Sequence, residues 1–337
     1  MSRVNSAVVY VIVDGVGACR VRPDMMPALH ALAVEGAWRP DGSQAVLCSA
    51  TYPNVLTLLT GSTPREHRIF VNGLFGGPAA CATVFDRAPH VTSEIVVGDQ
   101  HLIDVAGGRS AGRHWPPEGV LPPSAIRDEF GCAADAEVLT HAIEAAERHP
   151  DLLVVHINGP DTAAHRYGPD SPEAAGAYRS ADATLSGVLE ALRPRWDELL
   201  VLIASDHDQE PIDDDRRIDL SGLAAERGID ASVVHEGTAA LVVGKDADDE
   251  RWLSNVPDIE RSWRPEPEVR LVMSASRSWF ATGAQSSRLG AHGGLRTRDQ
   301  IAVATGGHPM VLQIAEAWRH RRPRAEDWAG LVLAALR

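Results

Sequence analysis

The amino-acid sequence predicts an α/β fold, a doubly wound and mostly parallel sheet with a small inserted α+β cap. Three nearly continuous aliphatic and β-branched runs carry this prediction, at residues 8–13, 151–157 and 198–207. Such runs are typical of parallel strands that are covered on both faces. Helical patterns alternate with the strands, which implies crossover connections around one sheet. A chain of 337 residues is long enough for one large domain with an insertion, or for two domains.

The other elements follow from periodicity and from the residues that end helices. Apolar periodicity predicts helices at residues 26–36, 52–60, 133–148, 172–192, 310–319 and 325–337, and a helix-like segment at 248–256. Shorter apolar runs predict strands at residues 45–48, 93–97, 239–243, 269–273 and 301–304. Residues 61–77 are loop-like, and residues 106–123, rich in glycine and proline, predict an irregular excursion.

The composition becomes less regular between residues 209 and 284. A proline- and aspartate-rich entry is followed there by short mixed elements. We interpret this segment as an inserted cap. Residues 1–208 and 285–337, which contain the candidate metal ligands, are interpreted as the metal-dependent catalytic core.

The charge of the chain restricts its partners. The formal net charge is −14, which argues against binding a nucleic-acid polymer and against binding an anionic membrane. A small anionic substrate is compatible with this charge, because a local metal cluster reverses the field within a cleft. Lys245 is the only lysine of the sequence. A phosphate or carboxylate would therefore be recognised by arginine, by metals or by backbone amides.

The sequence also predicts a cytoplasmic location. No apolar run approaches the roughly 20 residues of a membrane span, and a strand pattern begins too early to leave room for a signal peptide. The four cysteines would then remain reduced thiols, and none has the CxxC spacing of a zinc knuckle. The oligomeric state is left open.

Thr51 is the candidate nucleophile. It precedes Pro53 and an apolar run, so its hydroxyl is expected at the N-terminus of the predicted helix 52–60. Unpaired backbone N–H groups and the helix dipole favour an anion there, such as a phosphate or a transition state that gains negative charge. A threonine before a proline is more commonly a helix cap, so the interpretation depends on the residues around it.

Carboxylates and imidazoles occur at predicted strand ends and in loops next to glycine. They are Asp14, Asp161, His165, Asp206, His207 and His292. Ligands bind at the carboxyl ends of strands in open α/β sheets, and the four-residue spacing of Asp161 and His165 places both on one face of a helical turn. Three aspartates and three histidines make a two-metal set that suits Zn²⁺ or Mn²⁺ better than Mg²⁺ or Ca²⁺. Taken singly, each of these residues is more commonly a turn, cap or surface residue.

The order of these motifs resembles the alkaline phosphatase superfamily, most closely its nucleotide pyrophosphatase/phosphodiesterase branch, with phosphonoacetate hydrolase as a near relative. The family pattern is a strand-end aspartate, a Thr-aromatic-Pro-Asn segment, an Asp-x-x-x-His turn, an Asp-His pair and a late His-Gly. This sequence has Asp14, Thr51-Tyr52-Pro53-Asn54, Asp161 to His165, Asp206-His207 and His292-Gly293. The joint occurrence of these motifs in this order is stronger evidence for the resemblance than any single motif.

The resemblance implies a role for each residue. One metal ion would be held by Asp161, His165 and His292, and the other by Asp14, Asp206, His207 and the Thr51 oxygen. Asn72, by default a turn residue before glycine, would donate to a phosphoryl oxygen beside the Tyr52 backbone N–H, and the Tyr52 ring would stack on a nucleotide base. The implied reaction is in-line displacement at phosphorus by Thr51, through a threonyl-phosphate intermediate that water hydrolyses. The implied cofactors are two divalent ions, with Zn²⁺ favoured over Mn²⁺.

The chain departs from the family pattern at three positions where glycine is common. Asp208 follows the Asp-His pair, Ala164 precedes the motif histidine, and Arg68 follows the histidine at the exit of the nucleophile helix. None of these changes removes a ligand. Asp208 is expected to add negative charge close to the site.

We predict a phosphodiesterase or nucleotide pyrophosphatase that acts on a small anionic substrate, nucleotide-like or a phosphonate. The alternatives are a carbon–phosphorus hydrolase like phosphonoacetate hydrolase, a phosphomonoesterase on the same scaffold, and a metal-free binding protein on a decayed scaffold. The known phosphonoacetate site uses lysines for the substrate carboxylate, so the single lysine, Lys245, disfavours that alternative unless arginines substitute. The complete ligand set disfavours the binding protein.

Overall fold

The computed structural model describes residues 7–73, 80–283 and 287–337. Its strands are, in chain order, β1 (Ala7–Val13), β2 (Ala37–Trp38), β3 (Ser43–Gln44), β4 (Ser93–Val97), β5 (Arg113–Trp115), β6 (Leu152–Ile157), β7 (Leu199–Ala204), β8 (Glu210–Ile218), β9 (Ser232–Glu236), β10 (Ala239–Val243), β11 (Ile259–Glu266), β12 (Val269–Ser274), β13 (Arg277–Phe280), β14 (Gly290–Ala291), β15 (Asp299–Gln300) and β16 (Ala302–Thr305). Its helices are α1 (Pro27–Glu35), α2 (Thr51–Thr60), α3 (Pro64–His67), α4 (Val84–Arg87), α5 (Leu102–Val105), α6 (Asp135–Glu147), α7 (Gly159–Tyr167), α8 (Pro172–Ala191), α9 (Leu220–Glu226), α10 (Met310–His320) and α11 (Trp328–Ala335).

The central sheet has seven strands in the order β2-β16-β7-β1-β6-β4-β5. β1 pairs in parallel with β6 and β7, and β4 pairs in parallel with β6 and β5. β16 pairs antiparallel with β7 and with β2. The mostly parallel sheet predicted from the sequence is therefore confirmed. The carboxyl ends of β7, β1 and β6 lie side by side at one end of this sheet.

Two hydrophobic cores cover the two faces of the sheet. Tyr10 and Ile12 of β1 pack with apolar residues of α2, α10 and α11, whereas Val9 and Val11 pack with those of α1, α6 and α8. Helices thus cover both faces, as a doubly wound fold requires. This double burial explains why the strands read as continuous apolar runs in the sequence.

A second, antiparallel sheet lies within the segment that we predict to be a cap. Its strand order is β11-β12-β10-β9, and one of its faces packs into a separate core that includes Trp252 and Val272. The other face, with Leu241, packs with Ala50, the residue that precedes the candidate nucleophile. The inserted sheet therefore helps to position the N-terminus of α2. The boundaries at residues 209 and 284 stay a prediction.

Three predicted elements differ from the structure. Residues 45–48 form no strand, because the Val46 N–H donates to the Asn54 side chain rather than to a ladder. The excursion 106–123 contains β5, which joins the edge of the central sheet. Residues 248–256 form short 3₁₀ turns instead of a helix. The Asp249 carboxylate accepts from the Arg251 N–H there, and such local bonds compete with helical ones.

The other predicted helices and strands are confirmed within a few residues of their ends. The described part of the predicted loop 61–77 contains α3, and its residues 74–77 lie outside the described residues. Over residues 7–73, 80–283 and 287–337, no helix is long and apolar enough to cross a membrane.

Candidate metal centre and active site

The sheet topology brings the predicted ligands to one place. Asp14 follows β1, Asp206 follows β7, and Asp161 lies in α7 immediately after β6. Because these three strands are neighbours, their carboxyl ends present the three carboxylates to the same cleft. His292 follows β14, and the backbone of this loop is held against the nucleophile segment by pairing of Ser49 with Gly293.

The first cluster consists of Asp14, Asp206 and His207, all three fully buried. His207 Nε2 lies 3.4 Å from Asp14 Oδ1 and 3.4 Å from Asp206 Oδ2. His207 Nδ1 donates to the Asp208 carbonyl at 3.1 Å. That hydrogen bond fixes the tautomer in which the Nε2 lone pair faces the carboxylates, as in metal-ligating histidines.

The second cluster consists of Asp161, His207 and His292, whose ligand atoms all lie within 4.8 Å of one another. His165 joins it, because its Nε2 lies 3.4 Å from Asp161 Oδ2. His165 Nδ1 donates to the Gly290 carbonyl at 2.9 Å, which again leaves Nε2 directed at the cluster. All six predicted ligands therefore lie in one cleft. His207 is within reach of both groups, and the division of ligands between two ions stays a prediction.

These residues fit a site for divalent cations. Within the described residues, Asp14 Oδ1, Asp206 Oδ2 and His292 Nδ1 are buried without a hydrogen-bond partner. Burial, together with the charges of Asp206 and Asp161, raises the pKa of Asp14 well above its usual value. Desolvated carboxylates without a counter-charge are unstable, and cations at the cluster would remove this cost.

His165 and His292 are in the protonation state that metal ligation needs. Burial lowers the pKa of His165 to about 4 and that of His292 well below its usual value. Both imidazoles are therefore neutral at physiological pH. Neutral imidazoles with carboxylates are a donor set for zinc or manganese.

Thr51 is the first residue of α2, and its side chain is nearly fully buried. Its Oγ1 lies 3.3 Å from His207 Nε2, beside the first cluster. The predicted position at a helix N-terminus is confirmed. The hydroxyl thus stands between the positive end of the helix dipole and the candidate ligands, a position suited to a nucleophile that attacks an anionic substrate.

Two neighbouring side chains hold the Thr51 backbone. Asn54 donates to the carbonyls of Cys48 and Ala50 and accepts from Val46, so it clamps the segment that enters α2. Ser49 Oγ donates to the Gly294 carbonyl at 2.7 Å and ties the same segment to the His292 loop. These contacts give the asparagine of the Thr-Tyr-Pro-Asn motif a positioning role.

Asn72 lies beside the candidate nucleophile segment. Its Oδ1 accepts from the Tyr52 backbone N–H at 2.8 Å, which orients the amide and leaves its NH₂ group as the donor. The Asn72 backbone N–H in turn donates to Glu236 Oε2 at 2.7 Å. Glu236 comes from β9 of the inserted sheet, and burial raises its pKa to about 7.

The Tyr52 side chain is largely enclosed. It is 8% exposed, packs in the core on the α2 side of the sheet, and donates from its hydroxyl to Asp99 Oδ2 at 3.0 Å. Little of the side chain is therefore accessible. Its predicted stacking on a nucleotide base stays a prediction.

Three residues near the cluster were not predicted from the sequence. His156 Nε2 lies 3.2 Å from Asp14 Oδ2, but His156 lies inside β6 and so resembles a core residue of the strand. Gln209 donates to Asp161 Oδ1 at 2.5 Å, two residues beyond the Asp-His pair. Arg288 Nη1 lies 3.4 Å from His165 Nδ1. No motif in the sequence marks Arg288.

The three departures from the family pattern have distinct surroundings. The Asp208 carboxylate packs against Gly17, where a β-carbon would lie 2.1 Å from it. Burial raises the pKa of Asp208 to about 6. Arg68 adopts a left-handed conformation at the end of α3 and pairs with Glu266. Ala164 is buried in α7.

The sequence matches the type I phosphodiesterase / nucleotide pyrophosphatase family over residues 8–268, well over half of the chain. The chain belongs to this family. A venom phosphodiesterase of Macrovipera lebetinus is 26% identical over 201 residues, which cover 56% of this chain and 23% of the venom protein. The bis(5'-adenosyl)-triphosphatase enpp4 of Xenopus laevis is 23% identical over 310 residues, 83% of this chain and 67% of that protein. This chain thus spans about a quarter of the length of the venom phosphodiesterases that it matches.

Solved structures of the superfamily share the fold. Murine ectonucleotide pyrophosphatase / phosphodiesterase 5, in an inactive form in complex with AMP, superimposes with a TM-score of 0.73 at 16% identity and covers 98% of this chain and 95% of its own. Phosphonoacetate hydrolase from Sinorhizobium meliloti 1021 in complex with phosphonoformate has a TM-score of 0.74 at 19% identity, covering 99% and 96%. At these identities the similarity establishes the fold.

Proposed function

We propose that the protein is a metal-dependent hydrolase of phosphate esters, with phosphodiesterase or nucleotide pyrophosphatase activity. One observation carries this proposal. The Thr51 hydroxyl oxygen lies 3.3 Å from His207 Nε2 at the edge of a cluster of three aspartates and three histidines. Family membership supports the same activity, because matched relatives are named phosphodiesterases.

We propose two divalent metal ions as cofactors, zinc in preference to manganese. Asp14, Asp206, His207 and the Thr51 oxygen would hold one ion, and Asp161, His165 and His292 would hold the other. When bound, such ions lower the pKa of a coordinated hydroxyl and neutralise the charge that develops on the phosphoryl group.

The proposed reaction is a double displacement at phosphorus. Thr51 Oγ1 attacks the phosphorus in line with the leaving oxygen, its proton passes to water, and the bond from phosphorus to the leaving oxygen breaks. The leaving group takes a proton from water, and a phosphate ester remains on Thr51. Water then hydrolyses this ester and restores the hydroxyl. Asn72 donates from its NH₂ group to the non-bridging oxygen that gains charge.

We propose a nucleotide-linked phosphodiester as the substrate. The matched Xenopus protein is named as a bis(5'-adenosyl)-triphosphatase, and the murine structural neighbour holds AMP. Tyr52 is the proposed contact for the base. Lys245 lies on the inserted segment, 81% exposed and paired with Asp230. This position favours an ester over a phosphonate whose carboxylate is bound by lysine.

A substrate panel tests the proposal. The purified protein would be assayed with Zn²⁺ and with Mn²⁺ on the nitrophenyl ester of thymidine 5′-phosphate, on nitrophenyl phosphate and on phosphonoacetate. We expect the highest kcat/KM on the diester. A higher kcat/KM on phosphonoacetate would replace the proposal by a carbon–phosphorus hydrolase, and no turnover of any substrate would indicate a binding protein on this scaffold.

A further inference from the structure

Arg288 lies at the end of a series of contacts that begins at Thr51 and runs through the histidines of the cluster. Contacts connect the two ends: Thr51 Oγ1 is 3.3 Å from His207 Nε2, the His207 and His292 ring centroids are 3.9 Å apart, those of His292 and His165 are 4.9 Å apart, and Arg288 Nη1 is 3.4 Å from His165 Nδ1. In an in-line displacement the leaving group departs opposite the attacking oxygen. A substrate that is attacked by Thr51 and extends along these histidines would place its departing part near Arg288.

Among the residues that the structure describes, the donors of the Arg288 guanidinium have no carboxylate acceptor. His165 Nδ1 already donates to the Gly290 carbonyl, so it cannot also accept from Arg288. Arg288 Nε is buried and has no hydrogen-bond partner in the described parts of the chain. By contrast, the partly buried Arg296 and Arg270 are paired with Glu210 and Glu250, respectively. No such pair involves Arg288 within the described residues.

An aromatic ring holds this guanidinium in place. Arg288 Cζ lies 5.4 Å from the centroid of the Phe130 ring, which is itself 5.9 Å from the His165 ring. The loop that carries Phe130 is fixed, because Asp128 accepts from Thr162 at 2.6 Å and from the Phe130 N–H at 2.9 Å. A cation–π contact orients an arginine without neutralising its charge. The positive charge of Arg288 is thus kept beside the cleft.

We propose that Arg288 binds a second oxyanion, carried by the departing part of the substrate. The inference rests on the proposed function and deepens it: the preferred substrates have an anionic leaving group, such as a phosphate of a polyphosphate chain or a carboxylate. Arg288 is then a specificity-determining residue, and an uncharged leaving group does not use it. The planar fork of a guanidinium matches either oxyanion through two parallel hydrogen bonds.

Ligand binding to a protein with the Thr51→Ala substitution, carrying the metal with which it is purified, tests the inference without turnover. Two matched pairs are titrated by calorimetry. Thymidine triphosphate and the nitrophenyl ester of thymidine 5′-phosphate differ in the charge of the leaving group, and phosphonoacetate and methylphosphonate differ by one carboxylate. Adding Arg288→Ala should raise the Kd of the ligand that carries the second oxyanion, thymidine triphosphate or phosphonoacetate, roughly 10- to 100-fold. This is the scale for losing a charge-assisted hydrogen bond. The other member should change less than about threefold, and Arg288→Lys should lie between wild type and alanine.

Arg166→Ala is the matched control. Arg166 neighbours His165 in the sequence, but it is half exposed and faces Glu129 at 3.6 Å. Its removal changes the net charge equally and should weaken both members of each pair to the same small extent. If Arg288→Ala selectively weakens binding only in the triphosphate pair, the oxyanion is a phosphate. If it does so only in the phosphonoacetate pair, the oxyanion is a carboxylate. Equal losses within both pairs, or no loss with Arg288→Ala, would overturn the inference.

Turnover by the wild-type protein tests the proposed function separately. If the wild type hydrolyses diesters while Arg288→Ala binds all ligands normally, the inference fails and the proposed function stands. If the selective loss of binding is observed in a protein that hydrolyses no ester, the proposed function fails and the oxyanion site stands.

Discussion

Thr51 differs from the other threonines of α2 in what its hydroxyl faces. Thr57 and Thr60 donate to the carbonyls of Pro53 and Leu56, as hydroxyls in helices commonly do. The Thr51 hydroxyl instead approaches His207 at the ligand cluster. The hydroxyls of Thr57 and Thr60 thus bond to the helix backbone, whereas that of Thr51 faces the ligand cluster.

Thr51→Ala should abolish turnover and leave the fold intact. Losing a nucleophile lowers the rate by orders of magnitude, whereas losing a hydroxyl at a helix terminus costs about 1 kcal/mol of stability. Thr60→Ala is the matched control, because it removes a buried hydroxyl of the same helix away from the cleft. Both variants would be compared by kcat and by thermal unfolding. Near-wild-type turnover of Thr51→Ala would mean that water is the nucleophile.

Asn72→Ala should lower kcat by roughly 100-fold, the scale for losing one donor to a developing oxyanion. KM should change less, because the donor acts mainly in the transition state. Asn72→Asp keeps the acceptor for the Tyr52 N–H but removes the amide donor, so it should lose as much kcat as alanine does. If Asn72→Asp were as active as wild type, the side chain would serve the backbone of Tyr52 and not the substrate.

At the scale of elements, α2 and α3 are joined by a buried histidine. His67 Nε2 lies 3.1 Å from Thr57 Oγ1, and His67 Nδ1 accepts from the Ile69 N–H at 3.2 Å. Burial lowers the pKa of His67 to about 4, from an ordinary value near 6.5. The ring therefore stays neutral in the folded protein over a range in which it is protonated in the unfolded chain.

This shift makes the free energy of unfolding depend on pH with a definite sign. Between about pH 6.5 and pH 4 the unfolded chain binds the additional proton, so the contribution of neutral His67 is fully present above pH 6.5 and is lost on acidification. The lost contribution is at most roughly 3 kcal/mol. His67→Asn should remove this part of the slope, measured by denaturant unfolding at several pH values. Data at pH 8, where the imidazole is neutral in both states, give the packing cost of the substitution. A slope identical to that of wild type would mean that His67 titrates normally.

The elements that the sequence predicts well are long, periodic and buried on a defined face. β1, β6 and β7 are of this kind, and so are α6 and α8. The errors fall on short segments whose structure depends on particular strand or side-chain partners rather than on periodicity. β5 is a strand because β4 pairs with it, and residues 45–48 are held by a side chain of α2.

The location of the candidate site could be predicted because it depends on these long strands. Strand ends in a parallel sheet converge, so Asp14, Asp206 and His207 could be grouped before their geometry was known. His156 was missed because a histidine within an apolar strand has the pattern of a core residue. Arg288 was missed because its position depends on contacts with Phe130 and His165, which are distant in the sequence.

The whole molecule combines a strongly acidic chain with a site for anionic substrates. The net charge of −14 repels phosphate esters at long range, and three of the carboxylates in this total lie together in the cluster. A phosphoryl group can bind there if local positive charge outweighs the repulsion by these negative charges. Divalent ions at the cluster and the guanidinium of Arg288 would supply it.

Metal content measured together with activity tests this account most directly. Elemental analysis of the purified protein should find about two equivalents of zinc or manganese per chain, as in two-metal hydrolases. Chelation should abolish turnover of a nucleoside phosphodiester, and returning the metal should restore it. Replacing Asp206 by asparagine should reduce the metal content, while Asp230→Asn, which changes the same charge on the surface of the inserted segment, should not. A protein that remains fully active after exhaustive chelation, with less than about a tenth of an equivalent of metal, would contradict the account.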